Sequence, residues 1–156
     1  MRAAFLQRNK KGHVLQMNGE QRRNLAIFYC QNVPESSEEN RQALEKEYKG
    51  SVRFYPVPCS GRLEPLHLLK ALEEFADAAY LITCPEGECR YFEGNRRAKK
   101  RVERARALIE SIGLEKERLD IIMGSKGELK GLALHTGELV DRASGLAPSP
   151  VHGNRV

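Results

Sequence analysis

The residues with the clearest capacity for chemistry are the four cysteines of the chain, Cys30, Cys59, Cys84 and Cys89. A thiolate sulfur is a ligand for iron–sulfur clusters and for zinc, and two thiols can also join in a disulfide. In a reducing compartment, four thiols indicate a metal or redox site before they indicate two disulfides. The compartment therefore bears directly on the chemistry.

The N-terminal sequence favours the cytoplasm. Its apolar stretch around Phe5 and Leu6 is too short for the hydrophobic region of a secretory signal. No run of about 18 apolar residues occurs, so we expect no membrane span. We therefore expect a cytoplasmic protein whose four cysteines stay reduced.

Three of the cysteines come at the ends of predicted β-strands. Continuous or nearly continuous apolar runs are typical of strands that are covered on both faces. The three runs that end with a cysteine are 25–30, 51–59 and 78–84. A shorter apolar run over 119–123 predicts a fourth strand.

Helical patterns alternate with these strands. They begin at 36 or 37, at 65, at 91 or 95 and, more weakly, at 127, and they extend to about 48, 76, 111 and 140. Alternation of strand and helix argues for an α/β fold with a parallel sheet and helices on both faces. We predict a flavodoxin-like three-layer fold with a four-stranded parallel sheet in the order 2-1-3-4, counted along the chain.

This fold would bring the cysteines together. The carboxyl ends of parallel strands share one edge of the sheet, and ligands bind in the crevice outside them. Adjacent strands lie about 4.8 Å apart, so Cys30, Cys59 and Cys84 would stand side by side. Cys89 lies in the loop that follows Cys84, where Gly87 lets the backbone turn back and supply a fourth sulfur.

Several chemical interpretations of the cysteines are open from the residues alone. Four converging thiolates suit a [2Fe–2S] cluster, a [4Fe–4S] cluster or a zinc site. Structural zinc commonly staples small folds through C-x2-C pairs, and a full α/β core makes such a staple unnecessary, which favours the cluster. The thiols could also be small buried hydrophobic residues, but their shared place at strand ends makes this the weaker interpretation.

The segments around the later cysteines carry a family resemblance. Residues 59–67 read CSGRLEPLH, residues 84–91 read CPEGECRY, and residues 93–95 read EGN before a basic helix. Together these segments resemble the delta subunit family of methyl-viologen-reducing hydrogenases. The resemblance covers about residues 25–125, and it is specific because the two cysteine motifs occur together.

The resemblance implies a flavodoxin-like domain that holds one [2Fe–2S] cluster. It matches Cys59, Cys84 and Cys89 directly and Cys30 by its place at the end of the first strand, so all four would bind the metal cofactor. It also implies an electron-transfer subunit of an oxidoreductase complex in anaerobic metabolism, without catalytic residues of its own. The implied partners are a hydrogenase, formate dehydrogenase or other dehydrogenase module and a heterodisulfide reductase A-like flavoprotein.

The chain departs from the family pattern at two places. The family often has a second cysteine and a tryptophan in its first motif, where residues 30–34 read CQNVP. Its usual HPGD between the later cysteines is PEGE at residues 85–88. Because the chain has only four cysteines, a cluster with four thiolate ligands would use every one.

The charge pattern bears on partners. The net charge of +5 permits nucleic-acid binding, but aromatic residues make up only 6% and tryptophan is absent, so stacking platforms are scarce. A run of arginines and lysines from Arg96 to Arg106 covers one side of the third helix. We interpret it first as a solvated helix face, next as a docking surface for an acidic partner protein, and last as a nucleic-acid surface. The rival to the electron-transfer subunit is a zinc- or thiol-based regulatory or nucleic-acid-binding domain with four cysteine ligands.

Some further residues lie beside the cysteines. Arg62 near Cys59 and Arg90 next to Cys89 would ease the reduction of a cluster, since reduction adds negative charge, or they are solvated. His67 fits a surface or helix-capping residue better than a ligand.

The chain divides into three parts by composition. Residues 24–142 form the predicted iron–sulfur-binding domain. Residues 1–23 show no clean strand or helix period and predict an arm that is disordered or ordered by a partner. Residues 143–156 contain two prolines and two glycines and predict a loose tail.

Overall fold

A parallel sheet whose strands alternate with helices organises the chain. The structure is a computed structural model that describes residues 5–8, 14–17, 22–85, 89, 93–124 and 130–152. In chain order its strands and helices are β1 (Phe5–Arg8), β2 (Val14–Met17), β3 (Leu25–Cys30), α1 (Glu38–Glu47), β4 (Val52–Val57), α2 (Pro65–Glu74), β5 (Ala78–Thr83), α3 (Gly94–Ser111), β6 (Leu119–Met123) and α4 (Leu132–Ser144).

The four strands β3 to β6 form one parallel sheet in the order β4-β3-β5-β6. Leu25 at the start of β3 lies opposite Val52 on one side and Ala78 on the other. Every residue of β3 and β5 is buried, as expected of central strands covered on both faces. The predicted strand order and the α/β three-layer, flavodoxin-like class are confirmed.

Each face of the sheet carries its own hydrophobic core. Successive residues of a strand point to opposite faces, so Ile27 and Phe28 of β3 belong to different cores. The first core packs α1 and α4 on one face, through residues such as Leu44 and Leu139. The second packs α2 and α3 on the other face, through residues such as Leu72 and Val102. The sheet is thus held between two pairs of helices.

Short polar contacts define where the helices begin. The Asn40 amide donates a hydrogen bond of 3.2 Å to the Ser37 hydroxyl, so Ser37 caps α1 at one of the two positions, 36 or 37, where its pattern begins. The Glu64 amide donates one of 3.0 Å to Nδ1 of His67, so the capping interpretation of this histidine is confirmed. α4 begins at Leu132 and ends at Ser144, beyond the predicted end at 140, and residues 127–129 of the predicted helix lie outside the described residues. No helix in the described part of the chain has the length and apolar character needed to cross a bilayer.

The N-terminal segment contains two short strands that its sequence did not predict. β1 and β2 pair in antiparallel fashion, with Phe5 opposite Met17 and Arg8 opposite Val14. β1 lies beside α4 of the main domain. The segment therefore forms strands although its sequence shows no strand period. That residues 1–23 are an arm separate from the domain stays a prediction.

The C-terminal segment is pinned to the amino-terminal edge of the sheet. The Ser149 amide donates a 2.8 Å hydrogen bond to the Asp77 carboxylate, which also accepts one of 2.8 Å from the Asn24 amide. Nε2 of His152 lies 3.1 Å from the carbonyl oxygen of Ala76. The expectation of a loose tail is therefore wrong as far as His152, because hydrogen bonds from distant parts of the chain hold it.

Arg118 completes this attachment from inside the protein. It is fully buried, and its guanidinium donates hydrogen bonds of 3.0 Å to the Asp77 carbonyl and 2.9 Å to the Ala147 carbonyl. A third bond of 2.7 Å joins it to the carboxylate of Glu115. Three acceptors from three parts of the chain therefore satisfy one buried cation.

We predict that Arg118→Met lowers the free energy of unfolding by about 2–4 kcal/mol, because two carbonyl oxygens lose their donor and Glu115 its partner. Urea denaturation followed by circular dichroism measures the change. Arg104→Met, which removes an exposed arginine of α3, is the control and should change stability by no more than about 0.5 kcal/mol. Equal stabilities of the two variants would contradict this role for Arg118.

Candidate metal centre

The four cysteines meet at the carboxyl edge of the sheet. Cys30 is the last residue of β3, Cys84 follows β5 directly, and Cys59 comes two residues after β4. Because β4 and β5 both pair with β3, these three thiols lie side by side. Cys89 comes back from the following loop to the same place. A cavity of about 130 Å³ is lined by all four cysteines and by Gln31, Asn32 and Pro58.

The thiols lie close enough to influence one another. Cys84 interacts electrostatically with Cys30 and with Cys89, and Cys59 interacts with Cys89 and with Cys30. Cys30, Cys59 and Cys84 are buried, Cys89 is half-buried, and none of the four forms a disulfide. The sulfurs therefore form one continuous group, in which Cys84 neighbours both Cys30 and Cys89, and Cys89 also neighbours Cys59.

Backbone amides donate to two of these sulfurs. The Gly61 amide lies 3.4 Å from Sγ of Cys59, and the Asn32 amide lies 3.5 Å from Sγ of Cys30. Hydrogen bonds of this kind favour the charged form of the acceptor. Both amides belong to residues that follow the cysteine by two positions, so the chain after β3 and after β4 supplies a sulfur together with a donor for it.

Burial nonetheless dominates the protonation of the inner thiols. It raises the pKa of Cys84 to about 12, with the neighbouring Cys30 and Cys89 thiols adding to the rise. Burial also raises the pKa of Cys59, against the lowering effect of the Gly61 amide. Both thiols are therefore protonated at neutral pH in the metal-free chain, and a bound metal has to displace these protons.

The first turn of α3 lies directly against the sulfurs. A Cβ atom at Gly94 would lie 2.4 Å from Sγ of Cys59 and 3.0 Å from Sγ of Cys89. A Cβ at Gly61 would lie only 2.7 Å from Cα of Gly94. Side chains are thus excluded from both positions, because the backbone of α3 packs against the turn that carries Cys59.

Asn95, the next residue of α3, holds the third cysteine segment. It is buried, and its side-chain amide donates a 3.4 Å hydrogen bond to the carbonyl of Pro85, which follows Cys84. In the sequence, Asn95 stands out only as part of a motif. The available signal for this role was the position of Asn95 in the first turn of a helix just after a cysteine loop. Its side chain can both donate and accept hydrogen bonds there.

The structure divides the basic run of α3 into two groups. Arg101 donates hydrogen bonds to the carbonyls of Gly61 and Leu63, and Arg106 donates one of 3.2 Å to the Lys116 carbonyl. These two arginines are half-buried structural residues. The exposed cations of the helix are Arg96, Arg97, Lys99, Lys100 and Arg104.

Arg62, a further candidate for a role at the site, is not among the residues that line the cavity. Arg62 is exposed, and its backbone amide contacts the cysteine turn through the Cys59 carbonyl at 3.0 Å. Arg90 lies outside the described residues. Among the described residues, no three or more cysteine, histidine, aspartate or glutamate side chains surround a position where they could hold a single metal ion.

Comparison with known proteins gives consistent matches. A model of the family described as methyl-viologen-reducing hydrogenase, delta subunit, matches residues 25–146. The chain is 36% identical over 102 residues to the vhu iron-sulfur subunit of the F420-non-reducing hydrogenase of Methanopyrus kandleri, which covers 65% of this chain and 77% of that protein. It is 30% identical over 127 residues to the protein of the same name from Methanocaldococcus jannaschii, or 81% of this chain and 95% of that protein.

A further match is to part of a much longer protein. The chain is 32% identical over 101 residues to the ferredoxin:CoB-CoM heterodisulfide reductase A protein of Methanosarcina mazei. The aligned residues make up 65% of this chain and only 13% of that protein. In that relative, a segment similar to this domain is therefore joined to a large additional sequence.

We predict that Gly94→Ala reduces iron uptake severalfold during anaerobic reconstitution, because the added methyl group forces the sulfurs of Cys59 and Cys89 from their positions. Iron per chain, measured after desalting, is the readout. Gly145→Ala is the matched control, since its Cβ would meet its nearest neighbour, the Arg142 carbonyl, at an ordinary 3.6 Å. Iron uptake by Gly94→Ala equal to that of the control would show that the close contact does not constrain the ligands.

Proposed function

The chain belongs to the family of methyl-viologen-reducing hydrogenase delta subunits, and we propose that it is an electron-transfer subunit that carries one [2Fe–2S] cluster. Cys30, Cys59, Cys84 and Cys89 are the proposed ligands. The observation that carries the proposal is the meeting of all four thiols around one cavity. When bound, such a cluster supplies reversible one-electron chemistry.

The arrangement of the thiols supports a two-iron cluster over a single ion. In a [2Fe–2S] cluster the four thiolates are divided between two irons, so four sulfurs spread around one cavity suit it. Within the described part of the chain, no three cysteine, histidine or carboxylate side chains surround a single ion position. Cys30 and Cys84 lie at the ends of adjacent strands, and the sulfurs of Cys59 and Cys89 both lie close to Gly94.

The relatives support the proposed partners. Two of them are named as iron–sulfur subunits of hydrogenases, which supports a hydrogenase or other dehydrogenase module as one partner. In the heterodisulfide reductase A protein of M. mazei, the similar segment is part of a longer chain. By analogy, this domain would dock on a partner that resembles the rest of that chain. We infer a flavoprotein of this type as the second partner.

The exposed cations of α3 are the proposed docking surface for an acidic partner. They begin next to Gly94, whose backbone lies against two of the sulfurs, so the charged surface adjoins the metal centre. Arg97, Lys100 and Arg104 recur at helical spacing and share one side of the helix. Positive charge at this place would orient an acidic partner and accelerate its association.

To test the cofactor, we predict that the protein purified without oxygen is coloured and contains about two irons and two acid-labile sulfides per chain. Replacing any of the four cysteines by serine should remove most of the iron, because an alkoxide is a poor ligand for iron in place of a thiolate. Gln31→Ser, which changes another residue of the cavity wall, should keep the iron. A colourless protein with one zinc per chain would refute the proposal.

To test the surface, we predict that reversing Arg97, Lys100 and Arg104 to glutamate leaves the iron content unchanged but weakens binding to the co-expressed partner protein at least tenfold at low salt. The difference should vanish near 1 M salt, where the Debye length is about 3 Å. Reversal of Lys46, Lys49 and Lys70 makes the same change in net charge away from α3 and is the control. Equal binding by the two triple variants would leave the α3 cations as a solvated helix face.

A further inference from the structure

Arg101 differs from the other cations of α3 in what it contacts. Its Nη1 atom donates hydrogen bonds to two carbonyls of the turn after Cys59, those of Gly61 at 2.5 Å and Leu63 at 3.0 Å. The same atom lies 3.3 Å from a carboxylate oxygen of Glu64, which is itself largely exposed. The main contacts of the arginine are therefore its hydrogen bonds to the cysteine turn. The exposed ion pair with Glu64 contributes little to stability.

Gly61 connects this guanidinium to the sulfur. Its carbonyl accepts from Arg101, and its amide donates to Sγ of Cys59 at 3.4 Å. Two hydrogen bonds through one residue thus link a positive charge to a proposed ligand. Because Gly61 has no side chain and packs on Gly94, the turn has no side-chain anchor of its own at this residue.

Gly94 and Arg101 act on the turn from the same side of α3. They lie seven residues apart, which is about two helical turns, so both project toward the same neighbour. Gly94 sets how closely the helix approaches the turn, and Arg101 holds the turn by its carbonyls. The basic residues between them, which include Arg97 and Lys100, are instead exposed to solvent.

We propose that Arg101 is a positioning residue for the Cys59 ligand, and that its charge raises the reduction potential of the bound cluster. The inference rests on the proposed function for its redox part. The hydrogen bonds fix the turn whose Gly61 amide faces the sulfur. The positive charge favours the reduced state, since reduction adds negative charge in a site of low dielectric.

The test compares four variants of the full chain: Arg101→Gln, Arg101→Lys, and the exposed-site controls Arg97→Gln and Arg104→Gln. Hydrogen exchange of the peptide that contains residues 59–63 reports the turn, in both the metal-free and the loaded chain. Dye-mediated redox titration and the electron paramagnetic resonance spectrum of the reduced protein report the cluster. The two kinds of readout are independent, because the exchange measurement needs no cluster.

We expect Arg101→Gln to exchange this peptide about threefold to tenfold faster than wild type, the change that corresponds to the loss of one net hydrogen bond. Its cluster should have a lower potential and an altered resonance spectrum. Arg101→Lys keeps the charge with a different reach, so both effects should be intermediate. The two controls should match wild type in exchange and potential.

The outcomes separate this inference from the proposed function. Exchange by Arg101→Gln equal to that of Arg97→Gln overturns the positioning role, whatever metal the chain holds. Faster exchange with an unchanged potential overturns the redox role and leaves a structural residue. A wild-type chain that holds zinc refutes the proposed function, and the exchange measurement still decides the positioning role. If Arg101→Gln does not fold, wild-type exchange in Arg101→Lys overturns the inference.

Discussion

The proposed metal centre depends on the parallel pairing of β3 with both β4 and β5. In a parallel sheet every strand ends at the same edge, so residues that close neighbouring strands meet without any special loop. Cys30, Cys59 and Cys84 use this property directly. An antiparallel neighbour would send one of these sulfurs to the opposite edge. The connection through helices therefore does more than cover the sheet, since it makes the strand directions equal and the three thiols adjacent.

The buried sulfurs have to be accommodated both as neutral thiols and as negatively charged thiolates, and the groups around them allow both. Without a metal, the raised pKa values of Cys59 and Cys84 keep these thiols neutral, and the buried group is tolerated as a set of small apolar side chains. With thiolate ligands, negative charge has to be balanced in the same place. The Gly61 and Asn32 amides and the Arg101 guanidinium lie where this balance is needed. The same pocket thus suits both states because its donors are peptide groups and a half-buried cation.

The parts of this structure that could be predicted are those whose signal is local. The apolar runs of β3 and β6 give their bounds residue for residue, and the cap of α1 lies at one of the two positions, 36 or 37, that the sequence offers. Features set by distant contacts could not be predicted. In the sequence, Arg101 is one more cation on the polar face of α3. Its other role is revealed only by its hydrogen bonds to Leu63 and Gly61, which lie 38 and 40 positions away along the chain. The C-terminal segment has the composition of a loose tail, but Asp77 holds Ser149 across 72 positions.

The charges around the cavity are distributed unevenly, and this matters for the two partners that we propose. The basic face of α3 adjoins Cys59 and Cys89, while the exposed residues that line the cavity are the uncharged Gln31, Asn32 and Pro58. A charged surface steers an approaching protein well, but close contact over charges requires their desolvation. An uncharged rim costs less to desolvate, so a partner would come close to the sulfurs more readily there. The proposed steering by α3 and a close approach at Gln31, Asn32 and Pro58 are therefore compatible tasks for two sides of one centre.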